Sequence, residues 1–131
     1  KPIINGARLM AKFASNEVLD AALAVVAGAN RMLLLAGQPA GYAAAMAGAL
    51  AETAMLPADF TLTAGSGGAR RLTVAARSGL VAQAAGTADH VALVDGAGQR
   101  LLYVTTCPDQ PLIVGGSLQV ASWQVEIGAP L

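Results

Sequence analysis

"GTADHVALVDGAGQRLLYVTT", Gly86–Thr106, reads as two apolar runs folded about a glycine-containing turn. Thr87–Val94 is apolar on both faces after Asp89, the pattern of a central strand covered on two sides. Asp95–Gly98 supplies turn residues and Arg100–Thr106 runs back, so the stretch predicts an antiparallel hairpin deep in a sheet. The single histidine, His90, lies in the first run beside Asp89. Neighbours on a strand point to opposite faces, so these two side chains are not expected to meet.

The two-residue period continues outward. Phe60–Thr63 is a short strand before the loop Ala64-Gly65-Ser66-Gly67-Gly68. Leu72, Val74 and Ala76 alternate with Arg71, Thr73, Ala75 and Arg77, which describes a half-exposed strand. Ser78-Gly79 signals a hairpin turn, from which Leu80–Ala85 returns. Pro108 and Pro111 mark a further loop. In the last strand Leu118 and Val120 are apolar at even positions, whereas Trp123, Val125 and Ile127 are apolar at odd ones. One face stays buried through that shift only if the chain bulges near Ala121-Ser122, a bend that carries the strand from one sheet to another. Trp123 falls on the inward phase and is expected as a core anchor, with an interface anchor as the alternative.

Toward the start of the sequence the period becomes helical. Ser15 is a suitable N-cap, Glu17 suits the first turn, and Gly28 terminates a helix over Asn16–Ala27. Val18, Ala22, Val25 and Val26 share one face, with Leu19 and Leu23 beside them. Arg31–Ala36 is a buried strand ending at Gly37-Gln38-Pro39. Gly41–Met55 is ambiguous. Its alanines and the spacing of Tyr42, Met46 and Leu50 favour helix, Gly48 weakens it and Pro57 stops it, which suits a surface helix or coil over one end of a sheet. The sum is a mainly β fold, an antiparallel β-sandwich or small barrel of six to seven strands with one or two helices on the N-terminal side. Residues 1–14 form an arm, and residues 15–131 a single β-rich domain. The arm sets Ile3, Ile4, Leu9, Met10 and Phe13 beside Lys1, Arg8 and Lys12, and is expected to order against a partner through those five apolar residues.

Apolar residues make up 55% of the chain and charged residues only 12%, where about a quarter is usual. So little charge implies surface hidden against partners, although a lean, alanine-rich domain explains the totals equally well. Eight basic and eight acidic residues cancel, so no long-range field steers the chain to nucleic acid or an anionic bilayer. The most apolar region, Val18–Gly37, is broken by Asp20, Asn30 and Arg31 and does not read as a membrane span. Nor does the basic start read as a signal peptide, because Glu17 and Asp20 fall where its apolar segment belongs, so an intracellular product is expected.

Chemistry is sparse. One imidazole and scattered carboxylates do not make a metal site, and the single cysteine, Cys107, permits neither a disulfide framework nor a thiolate zinc site. No histidine base is placed near Cys107 by the sequence. "TAGSGGAR" has the glycines of a phosphate loop without its Gly-Lys-Ser/Thr ending. Arg70, Arg71 and Arg77 suggest a small basic patch, but no aromatics are interleaved with them. A protein without catalytic, cofactor-binding or metal-binding residues is expected, and not an enzyme.

The opening stretch resembles a segment of small virion proteins of tailed bacteriophages, encoded among head genes. The shared pattern is Gly-Thr-Ala-x-His-x-Ala-Leu-x-Asp leading through a turn into Arg-Leu-Leu. It falls here on Gly86, Thr87, Ala88, His90, Ala92, Leu93, Asp95, Arg100, Leu101 and Leu102. "RRLTVAARSGLVAQAAG" is similar to the hairpin before that run and "RMLLLAGQPAGYAAA" to an earlier strand, while Trp123, Glu126, Ile127 and Pro130 echo the ending. Val91 departs from the pattern, which has an aromatic residue after the histidine, and the alanine-rich insert over Ala43–Ala54 is longer than in the pattern. The resemblance implies a capsid decoration (cement) protein on the outside of the head, made in the bacterial cytoplasm. Its implied partners are the major capsid protein and further copies of itself in a trimer, with no nucleic acid and no membrane. A tail, connector or head-fibre component is the alternative, followed by a non-viral β-sandwich module that binds a small ligand.

Overall fold

The computed structural model describes residues 13–128. Ser15 begins the first element. Its hydroxyl accepts the Val18 N–H at 3.3 Å and caps helix α1, Asn16–Val26, with Glu17 in the first turn. Strand β1, Arg31–Leu35, follows, then helix α2, Tyr42–Gly48, and strand β2, Ala51–Ala54. The remaining strands are β3, Phe60–Ala64, β4, Arg70–Val74, β5, Arg77–Val81, β6, Gly86–Asp95, β7, Arg100–Leu112, β8, Ser117–Val120, and β9, Trp123–Ile127. The mainly β reading with two helices holds. The count of strands is nine among the described residues rather than six or seven.

The strands form three antiparallel sheets, ordered β2-β1-β6-β7, β3-β4-β9 and β5-β8. β6 lies between β1 and β7, as its two apolar faces require. From one face of the largest sheet Met32, Leu34, Val91 and Leu93 meet Val74, Leu80 and, at the margin, Leu118, Val120 and Trp123 of the other two sheets. From its other face Leu33, Leu35, Ala92 and Val94 meet Ala45 and Ala49 on and after α2. Two layers therefore share one core, and α2 seals the outside of the larger layer, the arrangement of a sandwich.

α1 closes one end of that sandwich. Leu72 and Val74 share a face of β4, two residues apart, yet Val74 lies in the central core while Leu72 packs with Leu23 of α1 and Val125 of β9. Where the larger sheet no longer covers β4, the helix does. The face it buries carries Leu19 and Leu23, with Val26 partly covered. The spacing argument instead grouped Val18 with Val25, and both stand exposed. Apolar residues surround this helix, so periodicity alone did not choose the inward stripe.

Four other expectations need correction. Ser78-Gly79 does not turn a hairpin: β5 runs through it and pairs with β8, where two residues of β5 oppose Gln119 alone. Gly79, at φ +73°, is the bulge residue of that strand. Gly41–Met55 is helical only as far as Gly48, and its last part is β2, held by register with β1, Leu34 opposite Ala51. The prolines do not open a loop: β7 continues through Pro108 and Pro111 to Leu112, which an edge strand tolerates because one side needs no donors. Finally, Ala76 lies beyond the end of β4 and is exposed.

The parity change at Ala121-Ser122 is a change of sheet. β8 before it pairs with β5, and β9 after it pairs with β4, Trp123 opposite Val74. The Ser122 hydroxyl donates to the Val74 carbonyl at 2.8 Å across the break.

Candidate interaction surfaces

Every arginine among the described residues faces a carboxylate. Arg31 pairs with Glu52, Arg70 with Asp20 at 2.8 Å, Arg71 with Glu126 at 2.9 Å, Arg77 with Asp59 at 3.4 Å and Arg100 with Asp95 at 3.1 Å. Each arginine of the suggested basic patch thus faces a carboxylate, and a phosphate backbone meets no uncompensated cation there. Such pairs add little stability where water reaches them. The glycine-rich loop holds an anion from its own chain: the Ser66 N–H donates to Glu126 at 3.3 Å while Arg71 grips the other oxygen at 2.9 Å. Gly65 makes room for that carboxylate, since a Cβ there would stand 2.8 Å from Glu126 Cδ. Arg71, and then Ser66, hold the Glu126 carboxyl below its ordinary range.

Asp89 and His90 do meet, contrary to the strand argument. His90 Nδ1 lies 2.6 Å from Asp89 Oδ1. The contact falls at an irregularity: Ala88 pairs with Gln110 and His90 with Thr106, so Asp89 alone stands against Cys107, Pro108 and Asp109, by which β7 bulges. The Asp89 carboxylate also accepts the Gly37 N–H at 2.7 Å, tying the turn after β1 to β6. That backbone bond first, and His90 second, lower its pKa. Cys107 is half-buried beside this pair, and burial, then Asp89 and Asp109, push its thiol up, away from the thiolate a nucleophile needs. Among the described residues no three His, Cys, Asp or Glu side chains gather as metal ligands. No helix there is long and apolar enough to cross a membrane.

Trp123 stacks on Tyr103 with ring centroids 6.0 Å apart and joins the central core to the α1 cluster. It is only half-buried, because it also floors an open groove. This groove, about 310 Å³, runs between Thr105–Pro108 of β7 and Val120–Gln124, and a second of about 200 Å³ continues it toward Gln110 and Leu118. α1 fills the seam between β7 and β9 at one end, and the groove is the part of the seam it leaves uncovered. Sequence reasoning did not find it, although the parity break at Ala121-Ser122 marks one wall and Pro108 the other.

The larger signal is apolar surface. Phe13 is 85% exposed, Val18 61% and Val25 51%, and all three lie on α1 or at its approach. Val81, Ile113 and Val114 form a second exposed group where the 113–116 turn meets β5, the Gly115 N–H donating to the Ala82 carbonyl at 2.8 Å. Of the arm residues predicted to bind a partner, Ile3, Ile4, Leu9 and Met10 lie outside the described residues, and only Phe13 is placed. Comparison with models of protein families, with curated proteins and with solved structures found no match.

Proposed function

We propose that this chain is a structural protein of a tailed-bacteriophage head, a decoration or cement protein bound at junctions of the major capsid protein. The observation that carries the reading is the exposed apolar surface of α1 and Phe13 on a body whose described arginines all face carboxylates. A surface of this kind gains by burial against protein and offers nothing to a polyanion. The likeness to virion proteins over Gly86–Leu102 falls on the β6–β7 hairpin, the framework of the larger sheet. No catalytic role is assigned.

In this mechanism the domain sits on the outside of the shell as a trimer, and its apolar faces are buried against neighbouring copies and capsid subunits. Each contact is modest, but repetition over the lattice resists internal pressure through avidity. The test is the copy number of this chain relative to the major capsid protein on purified particles, by mass spectrometry and densitometry. A ratio of one to one, or one to a few, is expected. About a dozen copies or fewer would place it in the neck, tail or a head fibre, and absence from particles would overturn the virion reading.

A further inference from the structure

Resting on the assembling role set out above, we propose that the segment Lys1–Lys12 of one copy covers the outer face of α1 on a second copy, so that copies join head to tail. Three observations carry it. First, α1 is apolar on both sides. Leu19 and Leu23 are buried, yet Val18 and Val25 are exposed, and every residue from Ala21 to Ala27 is alanine, valine or leucine. A helix of 11 residues with so few polar side chains is stable when both sides are covered, and the described residues cover one.

Second, charge divides sharply along the chain. Three of the eight basic residues, Lys1, Arg8 and Lys12, and none of the eight acidic ones lie in Lys1–Lys12. The rest of the chain holds five basic residues against eight acidic ones. Its five arginines are already paired, and Glu17 on the first turn of α1 makes no ion pair among the described residues. A basic, apolar segment and an acidic body with an apolar helix are complementary in both respects.

Third, the sequence just ahead of α1 carries no turn signal. Ser15 is extended at φ −68°, ψ 158°, and the run Ala7–Ala14 holds no glycine, proline, asparagine or aspartate to reverse the chain beside α1. The nearest turn residues, Asn5-Gly6, stand nine and ten positions before Ser15, a reach of roughly 30 Å when extended. In this proposal Ile3, Ile4, Leu9 and Met10 meet α1 of another molecule rather than their own. Such a contact joins two different patches, so it closes into a ring or propagates.

The test uses the free full chain, without particles, and so is independent of the virion assignment. With Cys107→Ala as background, Met10→Cys and Val25→Cys are made as separate proteins and mixed under mild oxidation. A mixed disulfide between the two is expected, because neither protein can form it alone within one chain. Sedimentation should show an oligomer for the full chain and a monomer both for the chain lacking Lys1–Lys12 and for Val18→Glu with Val25→Glu. The last two residues are exposed, and unchanged near-ultraviolet circular dichroism from Tyr103 and Trp123 checks that the variants fold. A monomeric full chain, an oligomer indifferent to the glutamates, or a cross-link found only when both cysteines share one chain would each overturn the proposal. None of these outcomes bears on particle occupancy.

Discussion

Gly79 carries a positive φ of +73° within a strand, and a Cβ built there meets nothing within 4 Å. Space is therefore not the constraint; backbone conformation is. Gly79→Ala is expected to cost about 1–2 kcal/mol, the penalty of the left-handed region for an L side chain, read as a lower urea midpoint at unchanged slope. Gly48 is the contrast, ending α2 with Leu35 at an ordinary 3.6 Å from a built Cβ. Gly48→Ala should leave stability unchanged or raise it by up to about 1 kcal/mol. Both glycines were visible in the sequence as breakers, but which of them bends a strand and which ends a helix was not. That distinction lies in the pairing of β5 with β8, a strand far along the chain, as with Leu80 opposite Leu118. Asp89 makes the same point. Its contact with His90 lies where β7 bulges at Cys107–Asp109, and alternation counted along one strand cannot register what the opposite strand does.

At the scale of the element, α1 shows which side of a helix works in the fold. Leu23 is fully buried against Leu72 and Val125, so Leu23→Ala is expected to cost about 2–5 kcal/mol through lost contact and a residual cavity. Val25→Ala on the outer face should change the stability of the chain lacking Lys1–Lys12 by no more than about 0.5 kcal/mol. Ser15→Ala removes the acceptor of the Val18 N–H and should cost about 1 kcal/mol. Thermal or urea unfolding of the three variants separates these cases, and equal losses for Leu23→Ala and Val25→Ala would overturn the assignment of faces. The helix itself, its cap and its end were legible because caps and breakers act within a few residues. β2 was not legible, since Ala51–Ala54 has no alternation of its own and becomes a strand only because β1 lies alongside.

At the scale of the whole molecule, acid is expected to act through three carboxylates. Asp89, Asp95 and Glu126 are held below their ordinary range, by the Gly37 N–H, by the Gly98 N–H and by Arg71 respectively. A group whose pKa falls on folding stabilises the fold above its unfolded value and loses that contribution as pH drops through the folded one. The urea midpoint should thus be flat from neutral pH to about 5 and decline below about pH 4.5. Asp89→Asn, Asp95→Asn and Glu126→Gln together should flatten that decline, and an acid limb of undiminished steepness in the triple variant would count against these three groups as its source.

What the sequence determined by itself is local or periodic: the cap of α1, the buried runs of β1 and β6, the turn at Asp95–Gly98, and the parity change at Ala121-Ser122 that transfers the chain between sheets. Each is written within about ten residues, the range over which hydrogen bonding and side-chain period act directly. Tertiary structure alone decided the partner of β5, the passage of β7 through two prolines, the inward stripe of α1, the meeting of Asp89 with His90 and the groove beside Trp123. These depend on which distant surface packs against an element, and a chain that is apolar on nearly every face leaves that choice to the packing of the whole.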